Sequence, residues 1–198
     1  MAYADDVTIT LRTATDIQKV REALYCYETA TGARLNVRKS KGLALGAWEE
    51  TIDILGIPYC NELRILGIQM TNTTNQSAEK SWATIAGTTR AQAQEAYYKT
   101  FNLEQIMMYV ENYLLAKAWY VAQIFPPHSE SLRQIRMAMA WYIWRGEIFR
   151  VPLTTLYMPR EKVGWNLTHV EAKCRTLLIN RRQIQGEIEG SVTHQWLK

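Results

Sequence analysis

Residues 3–12 read YADDVTITLR, and this stretch decides how the first third of the chain folds. Apolar and polar residues alternate from Val7 to Leu11, and this period of two predicts a half-buried β-strand. Asp5 and Asp6 stand immediately before that strand. Strand neighbours point to opposite faces, so the two carboxylates meet at one point only in a tight hairpin turn. There they form a candidate Mg²⁺ site; the alternative is an acidic pair that only caps a surface turn.

The sequence that follows predicts one helix and then short extended segments. Thr15 is the predicted N-cap of the helix, with Gln18 as its capping-box partner and Gly32 as its C-cap. Apolar residues at helical spacing make this helix amphipathic, so we expect it to pack on a sheet. Three extended segments are predicted next, over residues 42–46, 52–57 and 64–70. The polar run 71–76 predicts a linker, and we place a domain boundary after residue 72.

Beyond this linker the pattern is helical almost throughout, so the predicted fold class is α+β. Helices are predicted over about residues 78–99, from 103 to before Pro126, after Ser129, and from Thr168, where Glu171 completes a capping box. The third helix is expected to bury Leu132, Ile135, Met139, Tyr142 and Ile143. The last is expected to bury Val170, Cys174, Leu177 and Leu178.

The composition excludes several classes of protein. Three cysteines at wide spacing argue against a disulfide framework and against structural zinc. The N-terminus has no signal-peptide pattern, and the most apolar stretch, 107–125, contains Glu111 and Lys117, which a membrane span rarely tolerates. We therefore expect a soluble, intracellular protein with no membrane partner.

Basic, aromatic and histidine residues give weaker signals. The net charge is only +4, but the predicted last helix carries Arg181 and Arg182, which either track phosphates or form a solvated helix face. Four tryptophans on apolar helix faces are expected in the core rather than stacked on bases: Trp82, Trp119, Trp141 and Trp144. The histidines lack metal-ligand spacing and are expected at the solvated surface: His128, His169 and His194.

Three motifs, taken in order, resemble the reverse transcriptases of non-LTR (LINE-type) retrotransposons. Tyr3-Ala4-Asp5-Asp6 resembles the Y-x-D-D turn of that family. Residues 32–41, GARLNVRKSK, are similar to its next palm motif, G-x-x-L-N-x-x-K-S. Residues 64–69, RILGIQ, are similar to its Y-L-G-I primer-grip segment. Residues 112–120, 141–146 and 156–160 resemble the family's thumb and the stretch beyond it, so the resemblance covers essentially the whole chain.

The resemblance implies a truncated polymerase palm over residues 1–72, a helical thumb-like region over 73–127 and a basic helical region over 128–198. One departure lies in the last region. Where the family commonly shows G-G-L-G-L, this chain has Val163-Gly164-Trp165-Asn166-Leu167. The original role of that packing turn is therefore open.

The resemblance also implies a role for each motif residue. Asp5 and Asp6 would hold Mg²⁺, and Lys39 would protonate the pyrophosphate leaving group; the alternative for Lys39 is a solvated lysine in a basic turn. Three residues would place their backbone against the primer end, or else form a buried strand: Leu66, Gly67 and Ile68. Tyr3 would lie near the primer or nucleotide, or else is an aromatic residue at a strand end. The implied partners are an RNA template and a DNA primer, with no small-molecule cofactor.

The family also needs a third acid from an earlier palm strand, together with fingers that bind the nucleotide. The chain begins two residues before Tyr3, so we expect a fragment that is inactive alone. Two alternatives stay open: a non-catalytic RNA- or DNA-binding helical module, in which Arg181 and Arg182 contact phosphates, and a helical scaffold.

Overall fold

The computed structural model describes residues 2–3, 6–46, 48, 52–99, 101–147 and 151–196, with the backbone alone at 2, 3, 6, 185 and 187–196. The chain divides into two compact units, Met1–Thr74 and Asn75–Lys198. The described strands lie in the first unit as antiparallel pairs, and the second unit is helical. The predicted α+β class is confirmed.

The first unit begins with two short strands, β1 (Ala2–Tyr3) and β2 (Asp6–Val7), which pair antiparallel. The strand predicted to reach Leu11 instead ends at Val7. The side chains of Val7 and Ile9 are 66% and 48% exposed, so the alternating pattern is not half-buried. Within the described residues this sheet has two strands, and a two-stranded sheet offers little surface against which apolar side chains can pack.

Helix α1 (Thr15–Thr31) follows; its predicted N-cap is wrong and its predicted C-cap is confirmed. Thr15 is not the N-cap; the carboxylate of Asp16 accepts hydrogen bonds from the backbone N–H groups of Thr13 (3.1 Å) and Arg12 (3.2 Å). The predicted capping box is wrong, because Ala14 is the N-cap, Thr15 is already the first helical residue, and no side chain caps this end. The predicted C-cap is confirmed: Gly32 has φ +72° and donates its N–H to the carbonyl of Glu28.

Irregular backbone follows α1, and neither of the extended segments predicted over 42–46 and 52–57 forms a strand. A single parallel bridge joins Gly42 to Tyr59. The indole of Trp48 donates to the hydroxyl of Tyr59 at 2.8 Å, and that hydroxyl donates to the carbonyl of Ile52 at 2.8 Å. These side-chain hydrogen bonds, together with backbone bonds from Gly42 to Pro58 and from Cys60 to Gly42, hold this segment.

The segment predicted as one strand over 64–70 is a hairpin of β3 (Glu62–Ile65) and β4 (Ile68–Thr71). Helix α2 (Thr74–Glu95) begins three residues after β4 ends. The predicted linker is therefore mostly structured, since its first residue ends a strand and its last three begin a helix.

The second unit is built from helices of very different length. After α2 come α3 (Leu103–Tyr109), α4 (Ala116–Ala122), α5 (Ser129–Ile143), α6 (Leu153–Leu156) and α7 (Val170–Trp196). Short 3₁₀ turns occupy Ala96–Tyr98 and Arg160–Lys162. None of the described helices combines the length and the apolar composition that a membrane span requires.

A π-helical turn, Val110–Leu114, interrupts the helix that was predicted to run unbroken towards Pro126. The N–H of Leu115 bonds to the carbonyl of Val110, five residues earlier, at 3.0 Å. Val110, Leu114 and Leu115 are all fully buried. The wide turn therefore keeps three apolar side chains in the core.

The core of the second unit matches the predicted helix faces. All five residues expected on the buried side of α5 are buried, as are Val170 and Cys174 on α7, while Leu177 and Leu178 are half-buried. Helix α7 packs against α4 and α5. Each fully buried apolar side chain contributes about 1.5–3 kcal/mol. Burial also raises the pKa of the Cys174 thiol to about 12, so it stays protonated.

The start of α7 differs from the prediction. Thr168 does not cap it; the N–H and Oγ1 of Thr168 both donate to Oε1 of Glu111, at 2.9 and 2.6 Å. The Nδ1 atom of His169 accepts the N–H of Ala172 instead, at 3.3 Å. Glu171, the expected capping-box partner, pairs with Arg175. His169 lies at the exposed surface, as expected, and also accepts this capping hydrogen bond.

Candidate functional site

The first motif, Tyr3-Ala4-Asp5-Asp6, lies where the first two strands meet. Tyr3 pairs with Asp6 and Ala2 with Val7, so β1 and β2 are separated only by Ala4 and Asp5. Those two residues lie outside the described ones, and so does the prediction that Asp5 holds a metal ion. Among the described residues, no three His, Cys, Asp or Glu side chains cluster in a way that suits a metal ion.

The second motif, residues 32–41, forms a turn that is fastened to the end of α1. The N–H of Leu35 donates to the carboxylate of Glu28 at 2.7 Å. Asn36 then accepts the N–H of Lys39 and the hydroxyl of Ser40. The side chain of Lys39 is exposed on this turn. Such exposure suits both readings of Lys39, and its role stays a prediction.

The third motif forms the tip of the β3–β4 hairpin. Ile65 pairs with Ile68, and the two-residue turn between them has positive φ at both Leu66 (+47°) and Gly67 (+86°). Such turns match the natural twist of a hairpin and favour glycine. Leu66 is 41% exposed and Ile68 only 4%. The alternative of a buried strand is therefore wrong for Leu66 and Gly67, which present a surface turn, and right for Ile68.

The strand pairings of the described residues do not join these three motifs to one another. Tyr3 and Asp6 share one two-stranded sheet, and Leu66 to Ile68 belong to another. Lys39 lies outside both sheets. The three motifs are therefore linked by their order along the sequence and not by strand pairing among the described residues.

The basic side chains of α7 divide into engaged and exposed groups. The ammonium of Lys173 lies 4.4 Å from the ring centroid of Trp119 on α4, a cation–π contact. Arg175 pairs with Glu171 at 2.6 Å. Arg181 and Arg182 are exposed, and their proposed contact with phosphates stays a prediction.

The structure brings together an aromatic group that the sequence did not reveal. Tyr97 stacks on Trp141, with ring centroids 5.2 Å apart, and Tyr98 meets Tyr97 edge-on at 5.4 Å. Tyr109 stacks on Tyr113 at 4.9 Å, with ring planes only 12° apart. The Tyr109–Tyr113 spacing of four residues on a helical stretch was a usable signal; the Tyr97–Trp141 pair left none, since its rings lie far apart in sequence.

Cations lie among these rings. The ammonium of Lys99 is 5.3 Å from the centroid of Tyr109, and the guanidinium of Arg145 is 5.4 Å from that of Tyr142. Arg145 also donates to the carbonyls of Tyr97 and Lys99, and so holds the Ala96–Tyr98 turn against α5. We call part of this group the aromatic surface; it comprises the exposed Tyr97, Tyr98, Lys99 and Tyr113 and the half-buried Tyr109 and Trp141.

The four tryptophans expected in the core are not equivalent. Trp82 is fully buried, which confirms the expectation for α2. Trp119, Trp141 and Trp144 are only half-buried, and the rings of the first two contact Lys173 and Tyr97. Burial raises the pKa of the neighbouring Tyr142 hydroxyl, with a smaller rise from Tyr109 and against the opposing charge of Arg145, and this keeps the hydroxyl neutral.

Comparison with known proteins gives one distant similarity. No protein-family model matches the chain. It is 20% identical over 203 aligned positions to the Transposon TX1 uncharacterized 149 kDa protein of Xenopus laevis. That alignment covers 98% of this chain but only 15% of the frog protein. The similarity supports a transposon-related origin.

Proposed function

We propose that this chain is a palm-and-thumb segment of a reverse transcriptase from a non-LTR retrotransposon. The observation that carries the proposal is the pairing of Tyr3 with Asp6, because it leaves only Ala4 and Asp5 between two antiparallel strands. A hairpin is the arrangement in which adjacent acids serve a common point. The order of the three motifs and the similarity to a transposon protein add support.

The chemistry proposed for the parent enzyme is nucleotidyl transfer onto a DNA primer along an RNA template. Asp5 and Asp6 supply hard oxygen ligands of the kind that Mg²⁺ prefers, and such ions stabilise the attacking and departing oxygens when bound. Lys39, on its exposed turn, donates a proton to the departing pyrophosphate. The Leu66-Gly67 turn presents its backbone to the primer end.

Primer extension tests the polymerase assignment. The protein to test is the reading frame that contains this chain together with any palm and fingers sequence encoded before it. We expect Mg²⁺-dependent extension on an RNA template, which Asp5→Asn or Asp6→Asn lowers by at least about a hundredfold. Asp53→Asn is the matched control, because Asp53 lies in the same unit and only caps the N–H of Gly56. Extension that survives both motif substitutions contradicts the assignment.

Lys39 has its own control on the same turn. Lys39→Ala is expected to slow extension about 10²–10⁴-fold, the range typical of a positioned general acid. Arg38→Ala, one residue earlier and equally exposed, is expected to change the rate far less. Equal effects of the two substitutions would identify Lys39 as an ordinary member of a basic turn.

A second candidate, nucleic-acid binding through the end of α7, is favoured by the exposure of Arg181 and Arg182. We expect Arg181→Gln with Arg182→Gln to weaken binding and to reduce the slope of log K against log salt by about 2. Arg175→Gln is the control, since Glu171 already engages that guanidinium. An affinity that does not depend on salt argues against this candidate.

A further inference from the structure

We propose that the aromatic surface of the second unit is a binding site for single-stranded nucleic acid, at which unpaired bases stack on Tyr98 and Tyr113. The inference deepens the proposed function, on which it rests for the class of ligand. It names a surface in the helical unit, separate from the Asp5, Asp6 and Lys39 motifs.

The exposure of the rings is the first argument. Tyr98 is 86% exposed and Tyr113 is 62% exposed, although large aromatic side chains are normally the best candidates for burial. Tyr113 already has one face stacked on Tyr109 with nearly parallel planes, so its exposed fraction can accept another flat ring. A base placed there extends an existing stack.

The rigidity of the platform is the second argument. Tyr98 rests on Tyr97, and Tyr97 stacks on Trp141 of α5. Arg145 fixes the backbone beneath them through the carbonyls of Tyr97 and Lys99. Because these rings are already held in place, a bound base does not have to order them, and less conformational entropy is lost on binding.

The charge of the surface selects nucleic acid over a protein partner. Lys99 is exposed beside the rings, whereas lysine is depleted from the cores of protein interfaces. The acids on the adjoining helix α3 and π-helical turn are engaged: Glu104 pairs with Arg160, and Glu111 binds Thr168. Glu95 is an exposed acid just before the Ala96–Tyr98 turn. A lysine among exposed rings is the combination that binds bases together with phosphates.

Single strands are favoured over duplexes because stacking needs a free base face. Within a duplex each base is covered by its neighbours, so Tyr98 and Tyr113 would find no partner there. Stacking on an aromatic ring contributes to the binding of any base, so the site is expected to tolerate sequence variation.

Binding of fluorescent oligonucleotides to the 198-residue chain tests the site. Single-stranded RNA, single-stranded DNA and a duplex of equal length are compared by anisotropy without Mg²⁺. Tyr98→Ala and Tyr113→Ala are each expected to weaken single-strand binding about 5- to 100-fold, while Tyr98→Phe and Tyr113→Phe keep it within about twofold. Tyr25→Ala is the control, since Tyr25 is 71% exposed on α1 of the other unit.

Further readouts locate the contact. Photo-crosslinking with bromouridine-substituted RNA is expected to label peptides that contain residues 97–99 or 113. Glu95→Gln removes the exposed acid beside the rings and is expected to strengthen binding about twofold. Duplex binding as tight as single-strand binding, or unchanged affinity in both alanine variants, overturns the proposal. The proposal is also overturned if the chain binds no oligonucleotide and instead self-associates in a way that Tyr98→Ala abolishes.

The two proposals fail separately. If the protein from the longer reading frame does not extend a primer but binds single strands through Tyr98, the polymerase proposal is refuted and the binding-site proposal stands. Active extension with strand binding indifferent to Tyr98 and Tyr113 refutes the site alone.

Discussion

Replacement of Val163 by glycine is expected to stabilise the second unit, although it removes a side chain. Val163 has φ +62°, a left-handed conformation that is disfavoured for a β-branched residue. Its side chain is 85% exposed, so its removal forfeits almost no burial. The left-handed conformation costs an L-residue about 1–2 kcal/mol, and the glycine variant would recover this energy. The greater freedom of glycine in the unfolded chain offsets about 0.4–1 kcal/mol of the recovered energy.

The net gain for Val163→Gly is therefore about 0.5–1 kcal/mol, which corresponds to a rise in Tm of about 2–4 °C for a unit of this size. Thermal and urea unfolding followed by far-UV circular dichroism measure it. Val163→Ala is the control, because alanine also loses the exposed side chain but keeps a Cβ at positive φ, and we expect its Tm to rise less than that of the glycine variant. A fall in Tm for the glycine variant, or equal rises for both variants, would refute the reasoning.

Three further predictions concern other parts of the chain. Leu66→Asn is expected to stabilise the β3–β4 hairpin by about 0.5–1 kcal/mol, seen as a higher urea midpoint, because asparagine tolerates a positive φ. Asp16→Asn is expected to flatten the fall in stability between pH 3.8 and about 2. Hydrogen bonds from Lys19 and then Thr13 hold the pKa of Asp16 at about 2, so its contribution is present above pH 3.8 and is lost as pH falls towards 2. Thr168→Val is expected to destabilise the second unit by about 1.5 kcal/mol through loss of the bond to Glu111, and Thr168→Ser to restore it, both by thermal unfolding.

The departure from the family pattern at residues 163–167 has a physical explanation in the backbone. Val163 and Asn166 occupy two of the three glycine positions of G-G-L-G-L, and both have positive φ. The glycine at the second of these positions, Gly164, has no room for a Cβ, which would collide with the carbonyl of Met158. Residues 163–167 therefore form a turn with strain at Val163 and with a tolerated asparagine at 166.

The fold was predictable where a local pattern determines the structure. Periodicity predicted the buried face of α5, and glycine predicted the C-cap of α1, since both depend on neighbours within a few residues. The two predicted N-caps are wrong because α1 has no side-chain cap and because the hydroxyl of Thr168 donates to a carboxylate on another element. Glu111, which binds Thr168, stands 57 residues away in sequence.

The candidate site was predictable only in part from the sequence. Its motifs were found through their order along the chain, yet the Leu66-Gly67 turn was missed because leucine is an unusual residue at positive φ. The aromatic surface was missed because Tyr97, Tyr109 and Trp141 belong to separate elements. Each is an unremarkable aromatic residue alone, and only tertiary structure brings the rings together.

The π-helical turn at Val110–Leu114 fixes the rotational phase of the chain that follows it. A regular helix advances about 100° per residue, so a change of this turn to α-helical bonding without loss of a residue would rotate α4 about its own axis by about that angle. Trp119 would then face away from Lys173, and the surface of α4 that receives α7 would turn towards solvent. The assembly of these helices thus depends on the length of a single turn as much as on the side chains it carries.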